Sequence, residues 1–194
     1  MNEAFPIAGI SKDKHFHRLK YQKPFHFNQV LSFLKRRAMA GVEMATETGY
    51  SRTFRVEDTK GFFTVTDNPD QSVLELRITC DDIKCHMEIV NRVRKVFDLD
   101  TDFSLINEKC AKDEFLSKGM VEGHVPRLPA AFDPFEFVVR AILGQQISVQ
   151  AATTLASRVA ERAGLKSDGG YPSGLKYFFP NPTELLHLDL DGLG

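Results

Sequence analysis

The sequence has few of the residues that build disulfide frameworks, zinc sites or indole stacks, with three cysteines and no tryptophan among 194 residues. The cysteines form an odd, sparse set without a close CxxC pair, so we expect free, buried or half-buried thiols. No apolar run reaches the roughly 18 residues of a membrane span, and the N-terminus lacks the basic start and apolar block of a signal peptide. We therefore expect a folded cytoplasmic protein that needs no cofactor or metal. The cysteines are Cys80, Cys85 and Cys110.

Catalytic motifs are also missing. The chain has no glycine-rich phosphate loop, no GxSxG and no HExxH, which gives no support to kinase, serine hydrolase or metalloprotease activity. Asp189 and Asp191 could serve as paired carboxylates, but Gly192 after them is typical of a polar helix end. We assign no catalytic residue to this chain.

The net charge of −1 conceals an asymmetry along the sequence. Residues 1–37 contain eight Lys and Arg against two Asp and Glu, a net charge of +6. Such a basic segment can contact phosphate, although a solvated surface is the simpler explanation of a charge run taken alone.

The first half of the chain predicts an α+β domain, residues 1–100. Alternating strands are expected over 15–21, 50–56, 62–66 and 73–79, with turn compositions between the last three. Helices follow the first and the last strand: Phe27, Val30, Leu31, Leu34 and Ala38 recur at helical spacing, and so do apolar residues over 82–98. An antiparallel sheet with one buried and one wet face results. Phe33 falls beside the apolar stripe of the first helix and could contact something other than the sheet.

Residues 101–194 predict a helical domain, with helices over 101–119, 134–143, 148–163 and 182–188. Asp133 and Asn181 each precede a proline and a glutamate, a helix-start pattern in which we attribute both glutamates to capping. In the link between the two central helices, we expect Gly144 to end the first in a left-handed conformation and Ser148 to cap the second. Gly164 ends the second helix.

This link, Gly144 to Ile147, contains Gln145 and Gln146. Amide groups held on a tight turn between two helices can read base edges or fill a gap in a base stack. An ordinary helix connection is the alternative.

The segment LPAAFDPFEFVVRAILGQQISVQAATTLASRVAERAG (Leu128–Gly164) closely resembles the start of the helical domain in the bacterial DNA-3-methyladenine glycosylase II family, of the helix-hairpin-helix superfamily. FNQVLSFLKRRAMAGVE (Phe27–Glu43) resembles that family's first helix and the strand after it, and FFPNPTELLHLDLDGLG (Phe178–Gly194) resembles the segment that enters its next helix. The resemblance implies a TATA-binding-protein-like antiparallel sheet followed by the first helices of an all-α glycosylase domain. It implies an enzyme that flips alkylated purines such as 3-methyladenine out of double-stranded DNA and cleaves their N-glycosidic bond, and we expect a monomer.

The resemblance also assigns roles to individual residues. Gln146 corresponds to the residue that fills the gap left by the flipped base, where some relatives have leucine, and Phe33 to an aromatic residue of the base pocket. Arg140, Gln145 and Ser148 flank the turn as candidates for shaping it or contacting the DNA backbone. Core packing between the domains is the alternative role of Phe33. The hairpin and the catalytic aspartate of the family lie downstream of Gly194, so we expect an N-terminal portion that is inactive alone.

Two other functions remain open at this point. The first is an oxidised-guanine glycosylase of the same superfamily, which uses a lysine nucleophile and also acts as a lyase. The second is a DNA-binding module without enzymatic activity, which would bind duplex DNA with a steep salt dependence and excise no base.

Overall fold

A computed structural model describes residues 13–167 and 170–193 and contains one five-stranded antiparallel sheet. The strands lie in the spatial order β1-β5-β4-β3-β2. After β1 the chain crosses by a helix to β2 at the far edge and returns through three hairpins, which brings β5 beside β1 with Leu19 opposite Leu74. The strands are β1 (Asp13–Lys20), β2 (Glu43–Ala45), β3 (Gly49–Val56), β4 (Thr59–Asn68) and β5 (Val73–Cys80).

Helices α1 (Phe27–Lys35) and α2 (His86–Val96) follow β1 and β5 and cover one face of this sheet. The core between them and the sheet includes Tyr50, Phe63 and Phe97, each at most 1% exposed. The alternating apolar residues of β5 and the apolar stripe of α1 face this core, as predicted. The α+β architecture expected for the first half of the chain is confirmed.

The second face of the sheet, predicted to be exposed to solvent, is partly covered. Ser51 and Thr53 of β3 point away from the core yet are buried. The Thr53 hydroxyl donates to the carbonyl oxygen of Tyr177 at 2.8 Å, and the ring of Tyr171 lies 4.8 Å from that of Phe62. The segment before α6 (Pro182–Leu186) therefore covers β3 and β4 from behind, a contact between distant parts of the chain that strand periodicity does not encode.

The remaining helices are α3 (Ser104–Lys112), α4 (Pro134–Leu143) and α5 (Val149–Ala163). The predictions for α4 and α5 are confirmed. The helix expected over 101–119 is interrupted at Asp113, whose carboxylate accepts hydrogen bonds from the backbone amides of Phe115 and Leu116 and starts a separate 3-10 turn, Leu116–Gly119.

A second, smaller core attaches α5 to the sheet. Ala156 and Ala160 of α5 are fully buried against Met39 and Val42, in the segment between α1 and β2. The Ser157 hydroxyl accepts a hydrogen bond from the backbone amide of Ala40 at 2.9 Å. Small side chains on α5 allow this close approach, so α5 has a defined position relative to the end of α1.

The helix ends largely follow the predicted caps. Asp133 accepts a hydrogen bond from the amide of Glu136 at 2.9 Å, Ser148 from that of Ala151 at 3.1 Å, and Gly164 ends α5 at φ +65°. Cys80 and Cys85 are buried free thiols and Cys110 is a half-buried one, as expected. Within the described residues, no helix combines the length and apolar character needed to cross a membrane.

Candidate functional site

A cleft of about 350 Å³ opens between α1, α4, the start of α5 and residues 129–132. Phe33 projects from α1 into its wall and is half-buried. The guanidinium carbon of Arg37, one turn later, lies 3.8 Å from the centre of the Phe33 ring. The cleft is thus lined by an aromatic ring with a cation beside it, together with Ala141, Ile147 and other apolar side chains.

The floor of the cleft is an ion network between the sheet and α4. Arg52 of β3 contacts Glu136 of α4 at 2.6 Å and Glu43 of β2 at 3.4 Å. Arg140, one turn after Glu136, contacts Glu43 at 3.2 Å and Glu136 at 3.4 Å. Each carboxylate therefore touches two guanidinium groups, and Glu43 also accepts hydrogen bonds from the Tyr50 hydroxyl and the amide of Met39.

Burial and charge act in opposite directions on these groups. Burial raises the pKa of Glu136, and the charge of Arg52 opposes that rise. Burial also disfavours the charged form of Arg52, but the charges of Glu136 and Glu43 outweigh it and hold the pKa of Arg52 above its ordinary value. Since every charge here has a protein partner, the network is a structural support of the cleft.

The role predicted for Glu136 is therefore wrong. The sequence pattern predicts helix capping for this carboxylate, but Asp133 alone caps α4 with its side chain, and Glu136 is 5% exposed within the ion network. Glu184, which occupies the same position in the second helix-start pattern, does form a capping box with Asn181. It also pairs with Arg55 at 2.6 Å.

The turn between α4 and α5 presents both glutamines to solvent. Gln145 and Gln146 are exposed, and Gln146 has φ +62°. The prediction that Gly144 takes the left-handed conformation is wrong, because its φ is −83° and the reversal occurs two residues later. A Cβ on Gly144 would lie 3.1 Å from the carbonyl oxygen of Arg140 and 3.4 Å from the Cβ of Ala152. The first contact, within α4, is tighter than most, and the second is an ordinary van der Waals contact between α4 and α5.

The predicted site residues occupy two settings. Phe33 lies in the cleft wall, and Gln145 and Gln146 lie on the exposed turn. Arg140 and Ser148 act within the protein: Arg140 holds Glu43, Glu136 and the carbonyl of Arg37, and Ser148 caps α5. Their assignment to shaping the turn or to contacting the DNA backbone stays a prediction.

Sequence reasoning missed the network itself and assigned no role to Arg52 or Glu43. The available signal was an arginine on the core-facing side of β3, between Tyr50 and Phe54. A charged residue at such a position requires a buried partner, but alternation alone does not identify it.

This fold, an antiparallel sheet followed by helices around an apolar cleft, is similar to that of a DNA glycosylase of known structure. The 3-methyladenine DNA glycosylase of Archaeoglobus fulgidus superposes with a TM-score of 0.71 at 17% identity, over 92% of this chain and 60% of that chain. The profile of the AlkA N-terminal domain matches residues 16–133. The chain belongs to the AlkA N-terminal domain family.

Two longer relatives match most of the chain. It is 31% identical over 172 residues to the "Probable bifunctional transcriptional activator/DNA repair enzyme AlkA" of Mycobacterium tuberculosis, covering 89% of this chain and 34% of that protein. It is 29% identical over 175 residues to DNA-3-methyladenine glycosylase 2 of Escherichia coli, covering 90% of this chain and 59% of that protein. The chain thus spans between a third and three fifths of the length of these relatives.

Proposed function

We propose that this chain is part of a DNA repair N-glycosylase that removes 3-methyladenine and related alkylated purines from double-stranded DNA by base flipping. The observation that supports this most directly is the exposed glutamine turn beside a cleft with an aromatic wall. A pocket of this size is typical of small-molecule sites, and the similar E. coli protein is a 3-methyladenine glycosylase.

In this proposal the flipped base enters the cleft against Phe33, and Gln146 fills the space left in the stack. An alkylated purine is cationic and already a good leaving group, so the base needs little chemical activation. The main cost is the few kcal/mol needed to unstack it from the duplex. Gln146 suits the gap because it is exposed on the turn between α4 and α5. Gln145 lies beside it, and Arg140 and Ser148 hold the turn in place.

We further propose that residues 1–100 and 101–194 form the two domains expected from the sequence and that the protein acts as a monomer. The 194 residues are not expected to excise a base by themselves, because none of them is assigned the catalytic carboxylate. This is checked by incubating the purified chain with methylated DNA and measuring released 3-methyladenine. Release above the protein-free control would refute the assignment.

Base-gap recognition is tested by fluorescence anisotropy with a duplex carrying one abasic analogue and with the matched intact duplex. We expect tighter binding to the abasic duplex, and we expect Gln146→Ala to remove most of that preference. Gln71→Ala, at an exposed glutamine in the β4–β5 turn, is the matched control. A preference for a duplex containing oxidised guanine over one containing an alkylated purine would instead favour the related glycosylase with lyase activity. Equal affinity for damaged and intact duplexes would contradict both.

A further inference from the structure

A second groove, of about 640 Å³, opens beside the cleft, between the end of α1 and the first turns of α5. Arg37, Val149 and Thr153 line both the groove and the cleft, so the two form one continuous surface. Lys35 and Arg36 line the groove but not the cleft. A ligand that passes from the cleft into the groove therefore moves from an apolar environment to a basic one.

The positive charge of the groove is little compensated. In the part of the chain that the structure describes, no carboxylate lies within 4.0 Å of Arg36 or Arg37, and the Arg36 guanidinium contacts only the Ser32 hydroxyl, at 3.4 Å. Lys35 contacts Glu47 at 2.6 Å, but these side chains are 54% and 88% exposed. Because an exposed ion pair is weak, a phosphate can replace Glu47.

The like charges also lie close together. Burial, followed by the charges of Arg36 and Arg140, lowers the pKa of Arg37, and an arginine stays protonated at neutral pH even so. Arg140 is neutralised by Glu43 and Glu136, whereas Arg36 and Arg37 are not. A bound anion would relieve this repulsion.

We propose that the groove binds the phosphate backbone of the DNA strand whose base enters the cleft. The proposal rests on the proposed function, which supplies the flipped base. A nucleotide strand fits both parts of the surface, because it carries flat bases and regularly spaced phosphates on one chain. The dipole at the start of α5, next to Val149, has the sign that favours an anion and adds to the charge of the side chains.

The test is the salt dependence of duplex binding by the 194-residue chain, measured by fluorescence anisotropy between 50 and 200 mM NaCl. Each phosphate contact contributes about 0.9 to the slope of log K against log salt, so removing two lowers it by about 1.8. Between these concentrations the affinity of the Lys35→Ala/Arg36→Ala variant should therefore fall about 12-fold less than that of the unsubstituted chain.

Two control variants separate the groove from charge in general. Arg77→Ala/Lys84→Ala removes the same charge at two exposed positions on β5 and in the turn after it, where we expect a slope change below about 0.5. Lys35→Arg/Arg36→Lys preserves both charges and should bind like the unsubstituted chain. Thermal melts of all variants should agree, since every substituted side chain is solvent-exposed.

Equal slope changes for the two double-alanine variants would refute phosphate binding in the groove and would leave the proposed function unaffected. Loss of the abasic preference with Gln146→Ala, alongside an unchanged slope for Lys35→Ala/Arg36→Ala, would have the same meaning. Absence of any duplex binding at 50 mM NaCl would overturn the groove, whereas the proposed function is decided by its own abasic comparison.

Discussion

Replacing Arg52 by methionine tests the ion network that joins the sheet to α4. The substitution preserves much of the side-chain volume but removes the cation 2.6 Å from Glu136 and 3.4 Å from Glu43. Removing one partner of a buried ion pair costs about 3–5 kcal/mol, because a charge is left buried without compensation. Arg140 still contacts both carboxylates here, so we expect the lower end, about 3 kcal/mol.

Such a loss is large relative to the roughly 5–15 kcal/mol that stabilises most folded proteins. For a chain of this length it corresponds to a decrease in Tm of about 6–12 °C. The assay is urea unfolding at pH 7 followed by far-UV circular dichroism. Arg77→Met is the matched control, because Arg77 is 67% exposed and its partners, Glu75 and the Phe16 ring, lie at the surface, so its effect should stay within about 0.5 kcal/mol.

The same variant should show a characteristic pH dependence. Burial raises the pKa of Glu136 above its value in the unfolded chain, and loss of Arg52 raises it further. The folded state then binds more protons than the unfolded state above the unfolded pKa, so the stability of Arg52→Met should fall as the pH rises from 5 to 8. Adding Glu136→Gln should recover part of the lost stability and flatten this slope. A cost for Arg52→Met below about 1 kcal/mol at pH 7, equal to that of the surface control, would refute the argument.

Three further predictions concern the turn, the helix contact and a histidine cluster. Gln146→Gly should raise the free energy of unfolding by up to about 1 kcal/mol, and with it the Tm, because glycine adopts φ +62° without steric cost. An unchanged or lower Tm would show that the turn is not strained. Gly144→Ala should cost about 1–3 kcal/mol in urea unfolding, because its Cβ would lie 3.1 Å from the Arg140 carbonyl oxygen in the last turn of α4; a neutral effect would show that this turn shifts without cost. Burial and the charge of His15 lower the pKa of His17 below 6.5, so its contribution to stability is complete above that pH and is lost as the pH falls. Urea midpoints at pH 7.5 and 5.5 should therefore differ less for His17→Gln than for the unsubstituted chain, and an equal difference would exclude His17 as the cause.

Local patterns in the sequence predicted those parts of the fold that depend on near neighbours. The alternation of β5, the stripe of α1 and the caps at Asp133, Ser148 and Asn181 all involve residues a few positions apart. β2 was not found by periodicity because three residues are too few to show alternation, although the family resemblance includes a strand after α1.

Contacts between distant residues account for what the sequence did not reveal. Arg52 and Glu136 are 84 positions apart, and the capping pattern around Glu136 offered a sufficient local explanation of its charge. The continuity of the cleft and the basic groove likewise depends on α5 packing against the end of α1. The glutamine turn was the exception, because its composition and its position between two helices were visible locally.

The central claim is that Gln146 occupies the space left by an extruded base while the base lies against Phe33. It is tested most directly by NMR titration of the ¹⁵N-labelled chain with an abasic duplex, since the side-chain amides of glutamine give their own signals. The account predicts the largest shifts at the amides of Gln145 and Gln146 and around Phe33, and no comparable shifts with the intact duplex. Shifts centred on the outer face of the sheet, at Phe16 and Arg77, with the glutamine signals unmoved, would contradict it.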